Sequence, residues 1–132
     1  MAKLNNKQIA DTYKTRYEHW KRESLDNSGF FVIFNGFSDE ISAIDHKTLL
    51  QKISGGALKL FIFIGLKSNN YTGESYYSIK SLSKYFNVSE RTINNWFREL
   101  EKLNLIYRTQ LEYGGVSHTY LQIYKTPDRT HD

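Results

Sequence analysis

The chain contains no cysteine, and proline and methionine occur only once each among its 132 residues. Without cysteine there are no disulfide bridges, no thiol nucleophile and no cysteine-ligated zinc. This composition favours a reducing compartment, and we expect a cytoplasmic location. The most apolar run, Leu60 to Leu66, is much shorter than the ~20 residues of a membrane-spanning helix, and the polar N-terminus predicts no signal peptide. We therefore expect no membrane partner.

The sequence also lacks the arrangements that catalysis and cofactor binding require. Its four histidines are scattered without the spacing of metal ligands, and they are His19, His46, His118 and His131. The glycine pairs at 55–56 and 114–115 lack the Lys-Ser/Thr context of a phosphate-binding loop. No nucleophile is found together with its base. We therefore expect a protein that is not an enzyme, uses no cofactor and has no small-molecule substrate.

The chain does contain enough apolar and aromatic side chains for a folded core. Hydrophobic residues make up 39% and aromatic residues 15% of the sequence, which argues against disorder. The length suits a single domain. The net charge of +4 and the pI of about 9.2 are compatible with a nucleic-acid partner, although many proteins without one share them.

The first segment, from about Asn5 to Ser24, has the pattern of an amphipathic helix. Its apolar stripe has spacings of four, four and three positions, and it consists of Ile9, Tyr13, Tyr17 and Trp20. Such a stripe either packs on the rest of the domain or forms a dimer interface, and both interpretations remain open. We assign residues 1–29 to this helix and a turn-like connector. For a homodimer, the stripe is the candidate interface.

Two further segments are predicted from uninterrupted apolar residues. Phe30 to Phe34, with the sequence FFVIF, has the composition of a buried strand. Ser54 has the side chain of a helix cap, and the helix predicted after it, over 55–68, is apolar nearly all round. A helix of this kind belongs in the centre of a domain. A very short strand is predicted at Tyr76 and Tyr77.

The stretch 78–106 has the pattern of two short helices joined by a tight turn. The first helix ends near Phe86. Ser89 caps the second helix, which ends near Leu103. Asn104 follows at the position where asparagine tolerates the left-handed conformation that terminates a helix.

The C-terminal part alternates polar and apolar residues twice, over 105–112 and 116–125, around Gly114-Gly115. This pattern predicts a β-hairpin. Helix, short strand, helix, turn, helix and hairpin is the order of a winged helix-turn-helix. We therefore predict an α+β fold, a winged helix-turn-helix with an N-terminal helix and strand extension. The domain is expected over 30–126, followed by a tail at 127–132.

Several motifs in the central part of the chain resemble those of a known family. They are SGGALKL at 54–60, YSIKSL at 77–82, VSERTI at 88–93 and ELEKLNLI at 99–106. They resemble the winged-helix domains of plasmid and phage replication initiators and related regulators of low-GC Gram-positive bacteria. Trp96 departs from the family, because relatives usually have a small residue there. The resemblance implies a DNA-binding protein of a mobile element, acting in replication initiation or transcriptional regulation.

We predict that the second helix of the motif, residues 89–103, inserts into the major groove of double-stranded DNA. Arginine pairs with guanine, and asparagine with adenine, through two hydrogen bonds each. The candidates for base contacts are Arg91, Asn94, Asn95 and Arg98. The candidates for contacts with the DNA backbone are Ser78, Lys80, Lys84, Ser89, Thr92, Arg108 and His118. Because one helix reads few base pairs, we expect a homodimer on two half-sites.

Other interpretations of the same residues remain open. The polar face of the second helix is alternatively a solvated surface without a partner. Trp96 either packs at the edge of the core or offers a platform for an unpaired base. The winged helix is alternatively a protein-interaction module within a replication assembly, or a binder of single-stranded DNA. The tip of the hairpin, Tyr113 to Ser117, has no lysine or arginine, so we expect the wing to contact phosphates at most.

Overall fold

The computed structural model describes residues 3–40, 44–110, 116–122 and 124. The chain divides into two compact units, Met1–Phe31 and Val32–Asp132. The first unit contains one long helix within its described residues. The second unit contains further helices and a sheet of three strands, and it carries all the residues predicted to contact DNA.

Helix α1 (Asn6–Asn27) confirms the predicted N-terminal helix and extends it by about one turn. It begins with a capping box, in which Asn5 and Gln8 exchange hydrogen bonds between side chain and backbone at 2.8 and 2.9 Å. α1 buries none of its residues. The apolar stripe is therefore exposed, and it consists of Ile9, Tyr13, Tyr17 and Trp20. The stripe remains a candidate interface.

The strand predicted at 30–34 as part of the N-terminal extension is wrong. These residues form no strand, and most of their side chains are exposed. A strand needs a neighbouring strand for its backbone hydrogen bonds, which side-chain composition does not supply. The Phe34 N–H instead donates to the hydroxyl of Tyr124. The apolar residue that is buried here is Phe37, which stacks on Phe61 with ring centroids 5.7 Å apart.

Two helices follow, α2 (Leu49–Lys52) and α3 (Gly55–Lys67). Ser54 caps α3 as predicted, because its hydroxyl oxygen accepts the N–H of the third helical residue at 3.3 Å. The side chains that α3 buries in the core are Ala57, Leu60, Phe61, Phe63 and Ile64. The helix is not buried all round, however, since Ile62 and Leu66 remain exposed.

Helices α4 (Ile79–Phe86) and α5 (Glu90–Lys102) confirm the two predicted short helices. Asn87 ends α4 in the left-handed conformation, with φ 56° and ψ 49°, and Ser89 caps α5. Asn104 has the predicted left-handed conformation, with φ 60°. The side chains that the two helices bury are Leu82, Ile93, Phe97 and Leu100.

Strands β1 (Glu74–Ser75), β2 (Ile106–Gln110) and β3 (Ser117–Leu121) form an antiparallel sheet in the order β1-β3-β2. β1 lies two residues before the short strand predicted at 76–77. The hairpin of β2 and β3 confirms the predicted wing, while its turn at 111–115 and the tail from 127 lie outside the described residues. With α3, α4 and α5, this sheet makes the domain an α+β winged helix-turn-helix, as predicted.

The first turn of α3 packs closely on α5. Gly56 faces the indole of Trp96, and a Cβ atom at position 56 would overlap the indole ring. Trp96 also packs edge-on against Phe86 of α4, with ring centroids 5.8 Å apart. These contacts confirm the packing interpretation of Trp96. The large side chain fits at this position because residue 56 has none.

We expect Gly56→Ala to lower the free energy of unfolding by about 1–3 kcal/mol, because the added methyl group must displace the indole. Gly55→Ala is the matched control, since a Cβ atom at position 55 meets nothing within 4 Å. Urea unfolding followed by far-ultraviolet circular dichroism measures both variants. In a Trp96→Ala background, Gly56→Ala should cost nothing further. An equal loss in both backgrounds would contradict the contact.

Candidate nucleic-acid interface

Helix α5 presents a row of exposed polar side chains opposite its buried face. The buried face consists of Ile93, Phe97 and Leu100. At about 3.6 residues per turn, positions 91, 95, 98 and 102 share the opposite side of the helix. The residues at these positions are all exposed, and they are Arg91, Asn95, Arg98 and Lys102. We call these four residues the α5 row.

Within the α5 row, Arg98 orients Asn95. The Nη1 group of Arg98 donates a hydrogen bond to Asn95 Oδ1 at 3.2 Å. This bond leaves the other guanidinium N–H groups and the Nδ2 group of Asn95 to donate elsewhere. The structure thus brings together Arg91, Asn95 and Arg98, three of the four residues predicted to contact bases. Their contacts with bases stay a prediction.

Asn94, the fourth of these residues, lies beside the α5 row. Its side chain is half-buried, and its Nδ2 group donates to the carbonyl oxygen of Glu90 at 3.2 Å. A bond of this kind to the preceding turn occupies the side chain within its own helix. Asn94 therefore borders the exposed row and is a weaker candidate for base reading than Asn95.

Ser78 and Ser89 begin α4 and α5 as helix caps. Each hydroxyl oxygen accepts a backbone N–H three residues further on, from Ser81 at 3.0 Å and from Thr92 at 3.1 Å. The Ser78 hydroxyl also donates to the Ser81 hydroxyl at 3.1 Å, and the hydroxyl oxygens of Ser89 and Thr92 lie 3.0 Å apart. Capping uses the hydroxyl oxygens as acceptors, so a phosphate contact through the O–H groups of Ser78, Ser89 or Thr92, as predicted, would compete with these hydroxyl–hydroxyl bonds and not with capping.

Lys80 and Lys84 are exposed on consecutive turns of α4. A spacing of four residues places both on one face of the helix. Neither lysine forms a salt bridge with another described residue, and α4 itself contains no acidic residue. Their charges are therefore well placed for a phosphate.

Arg108 of β2 is directed toward α5. Its guanidinium carbon lies 3.8 Å from the centre of the Phe97 ring, and its Nε group donates to Thr119 Oγ1 at 3.3 Å. Burial lowers the pKa of Arg108, an effect that the charge of Glu101 opposes. This arrangement favours a role in attaching the wing to α5 over the predicted phosphate contact.

His118 of β3 also has a partner inside the domain. Its Nδ1 atom lies 2.6 Å from Glu74 Oε2, and the Tyr120 hydroxyl donates to the same oxygen at 3.1 Å. The hydrogen bond with His118 lowers the pKa of Glu74 below its ordinary value. Burial, reinforced by the bond to Glu74, raises the pKa of Tyr120. We call these three residues the Glu74 cluster, and it joins β1 to β3.

Sequence reasoning missed two residues of this region. Lys102 completes the α5 row, and the helical spacing of the row is the signal that predicts it. Glu99 lies at the side of α5, where its carboxylate accepts the backbone N–H of Ser54 at 2.6 Å and the Ser54 hydroxyl at 2.7 Å. A negative charge is favourable at the N-terminus of α3. No local pattern in the sequence connects Glu99 with Ser54, because the two residues are 45 positions apart.

The described residues show no group of three or more His, Asp or Glu side chains that is placed to hold a metal ion. Within the same ranges, no helix has the length and apolar character needed to cross a membrane.

The fold is that of a winged helix-turn-helix domain, and the α5 row lies on the exposed face of its second helix. Residues 51–106 match a family model described as a helix-turn-helix domain. The matched segment includes all of α3, α4 and α5, and thus the whole α5 row. Neither the curated proteins nor the solved structures give a significant match. The family match supports DNA binding, while the resemblance to replication initiators stays a prediction.

We expect the Glu74 cluster to make the domain sensitive to acid. Because the pKa of Glu74 is lowered by folding, its contribution to stability is present above the ordinary value of about 4.5 and is lost as the pH falls through the folded value. Glu74→Gln should therefore show a smaller loss of stability than the wild type between neutral pH and about pH 3. Urea midpoints across this range measure the difference.

The matched control for this experiment is Glu40→Gln. Glu40 also faces a histidine, His46, at 3.1 Å, but both side chains are exposed. An exposed pair contributes little to stability, so this variant should keep the acid dependence of the wild type. Identical acid profiles for Glu74→Gln and the wild type would show that the Glu74 cluster does not hold the sheet together.

Proposed function

We propose that the protein binds double-stranded DNA in a sequence-specific way by inserting α5 into the major groove. The observation that carries this proposal is the α5 row, which projects from a helix whose opposite face is fully buried. Its position in a segment that matches a helix-turn-helix family supports the same function. A helix held in this way presents a fixed set of donors to the groove.

The base-reading residues of this proposal are Arg91, Asn95 and Arg98. Arginine donates two hydrogen bonds to guanine, and asparagine both accepts from and donates to adenine. The bond between Arg98 and Asn95 holds the amide of Asn95 in one orientation. Less side-chain entropy is therefore lost when this amide binds a base. Lys102 at the far end of the row supplies positive charge for an adjacent phosphate, and Asn94 at its margin is a weaker candidate for a base contact.

Contacts with the DNA backbone come from α4 in this proposal. Lys80 and Lys84 supply positive charge without internal salt bridges among the described residues, and Ser78 lies at the start of the same helix. Phosphate contacts set the position of the protein on the duplex but carry no sequence information. Arg108 and His118 act indirectly, by holding the wing in place.

The biological role that fits the motif resemblance is replication initiation or transcriptional regulation of a plasmid, phage or other mobile element. In this role the protein acts as a homodimer in the cytoplasm, with one α5 in each of two half-sites. The proposed interface is the apolar stripe of α1, because its three aromatic rings are exposed. Selection of bound sequences from a random duplex library would reveal an inverted repeat.

We expect Asn95→Ala and Lys84→Ala to affect DNA binding in different ways. Asn95→Ala should relax discrimination at one base pair by about tenfold, because an adenine-reading amide is lost. Lys84→Ala should weaken binding to all sequences and lower the slope of log affinity against log salt by about one. Titration of the selected duplex and its single-base variants at several salt concentrations measures both effects.

Lys47→Ala is the control for this experiment, because it removes the same charge from an exposed loop residue outside α4, α5 and the wing. It should leave affinity and salt dependence nearly unchanged. Equal binding of selected and scrambled duplexes by the wild type at every salt concentration would refute base reading. Tighter binding of the single strand than of its duplex would refute insertion into the major groove.

We expect the dimer to depend on the aromatic stripe of α1. Replacing both Tyr17 and Trp20 with serine should give a monomer, because it removes most of the exposed ring area of the stripe. Glu18→Ser with Arg22→Ser is the matched control, since these residues lie on the opposite face of α1. Light scattering gives the mass of each variant. A dimer that survives loss of both rings would place the interface elsewhere.

A further inference from the structure

Glu99 is an acidic residue on the helix that is proposed to enter the major groove, and its side chain is turned away from the α5 row. By helical spacing, position 99 lies on one flank of the row, one turn after Asn95 and one turn before Lys102. Among the described residues, its carboxylate forms no salt bridge with Lys102 or with any other cation. The side chain is half-buried instead, and it faces the N-terminus of α3.

Both oxygens of the Glu99 carboxylate are bound by Ser54. Oε2 accepts the backbone N–H of Ser54 at 2.6 Å, and Oε1 accepts its hydroxyl at 2.7 Å. The same hydroxyl accepts the N–H of Ala57 at 3.3 Å. The residue that caps α3 is therefore also the residue that holds α5. Hydrogen bonds to an ionised carboxylate are about twice as strong as neutral ones, so this attachment is a firm one.

A second contact lies one turn away on the same side of α5. Trp96 precedes Glu99 by three positions, and its indole covers Gly56. One contact alone would let α5 turn about it, whereas two contacts a turn apart restrict both rotation and sliding of α5 on α3. Hydrogen bonds depend steeply on distance and angle, so Glu99 supplies the directional part of this attachment.

A small rotation of α5 is enough to disturb base reading. The side chains of a helix extend about 5–6 Å from its axis, so a rotation of about 20° moves their tips by about 2 Å. Hydrogen-bond lengths span only about 0.5 Å, and a contact with a base edge is therefore lost. Flexible lysines near phosphates absorb such a shift, because they act as point charges. Rotation thus affects specificity more than affinity.

The charge of Glu99 by itself acts against DNA binding. A carboxylate beside the α5 row repels phosphates, and its removal makes this face more positive. The bonds to Ser54 give the physical reason for an acidic residue at this place.

We propose that Glu99 is a positioning residue for base reading, which holds the α5 row in register through Ser54 and so determines how well the protein discriminates between sequences. Base reading by the α5 row is the proposed function on which this role rests. The two effects of Glu99 on DNA binding have opposite signs. Its charge weakens binding to every duplex, and its bonds to Ser54 favour one sequence over the others.

Two variants with the same change of charge test this role. Glu99→Ala removes the charge and both bonds, whereas Glu99→Gln removes the charge and keeps an oxygen that accepts one bond from Ser54. Both should bind a scrambled duplex about two- to threefold more tightly than the wild type at low salt. We define the discrimination ratio as the Kd of a single-base variant duplex divided by the Kd of the selected duplex. This ratio should fall about tenfold for Glu99→Ala and less for Glu99→Gln.

Ser54→Ala tests the other end of the attachment without a change of charge. It removes the hydroxyl bond, so the discrimination ratio should fall with no gain in affinity for the scrambled duplex. In the double variant with Glu99→Ala the two losses should not add, because both variants remove the same bond. Thr48→Ala is the matched control, since it removes a helix cap of the same kind from α2 and leaves the bonds of Glu99 in place.

Glu101→Gln is the matched control for the change of charge. Glu101 is exposed on the same helix, nearly opposite Glu99 around the axis, so this variant should keep the discrimination ratio of the wild type. Trp96 gives a readout without DNA. In a Trp20→Phe background, where Trp96 is the remaining tryptophan, Glu99→Ala should shift its emission and Glu101→Gln should not. Circular dichroism verifies that each variant is folded.

Three results would overturn the positioning role alone. The first is an unchanged discrimination ratio for Glu99→Ala when the wild type distinguishes the duplexes. The second is an equal ratio for Glu99→Ala and Glu99→Gln, because this would assign the effect to charge. The third is an equal fall for Thr48→Ala and Ser54→Ala, because this would assign it to lost stability. Equal binding of selected and scrambled duplexes by the wild type would instead overturn the proposed function, and the positioning role with it.

Discussion

The contact between α5 and the first turn of α3 is the constraint on which the rest of the domain depends. Two interactions define it, one steric and one electrostatic. The indole of Trp96 lies on Gly56, and the carboxylate of Glu99 binds the N-terminal cap of α3 at Ser54. Both partners on α5 project from the same side of the helix. Together they fix the rotation of α5 about its axis, and that rotation decides which side chains form the exposed row.

The wing holds α5 from another side. Arg108 covers the ring of Phe97, a residue that is otherwise buried in the core with Ile93 and Leu100. The Glu74 cluster in turn joins the wing strand β3 to β1, the short strand between α3 and α4. α5 therefore has neighbours on α3, α4 and β2 within the described domain. A helix supported on three sides loses little freedom when it binds, which favours a defined register on its partner.

The helices α3 to α5 could be predicted from the sequence because their signals are local. Capping serines, the apolar spacing and the left-handed Asn104 act within a few residues of the chain. The errors concern features that depend on distant partners. FFVIF has the composition of a strand but no neighbouring strand to pair with, and the side-chain direction of Arg108 follows from the position of Phe97. The bond between Glu99 and Ser54 is equally invisible to any pattern within one segment.

A net charge of +4 does not distinguish cations that contact phosphate from cations that only add to the electrostatic field at a distance. The position of Arg108 separates these two effects. A charge held over Phe97 still adds to the field at a distance, so Arg108 helps to attract a polyanion and to raise the rate of encounter. In the proposed complex, a guanidinium that stays over Phe97 would make no contact with phosphate and would displace no condensed counterion. In the proposed function, the wing would thus contribute to how fast DNA is found, whereas the salt dependence of the final complex would reflect the cations of α4 and α5.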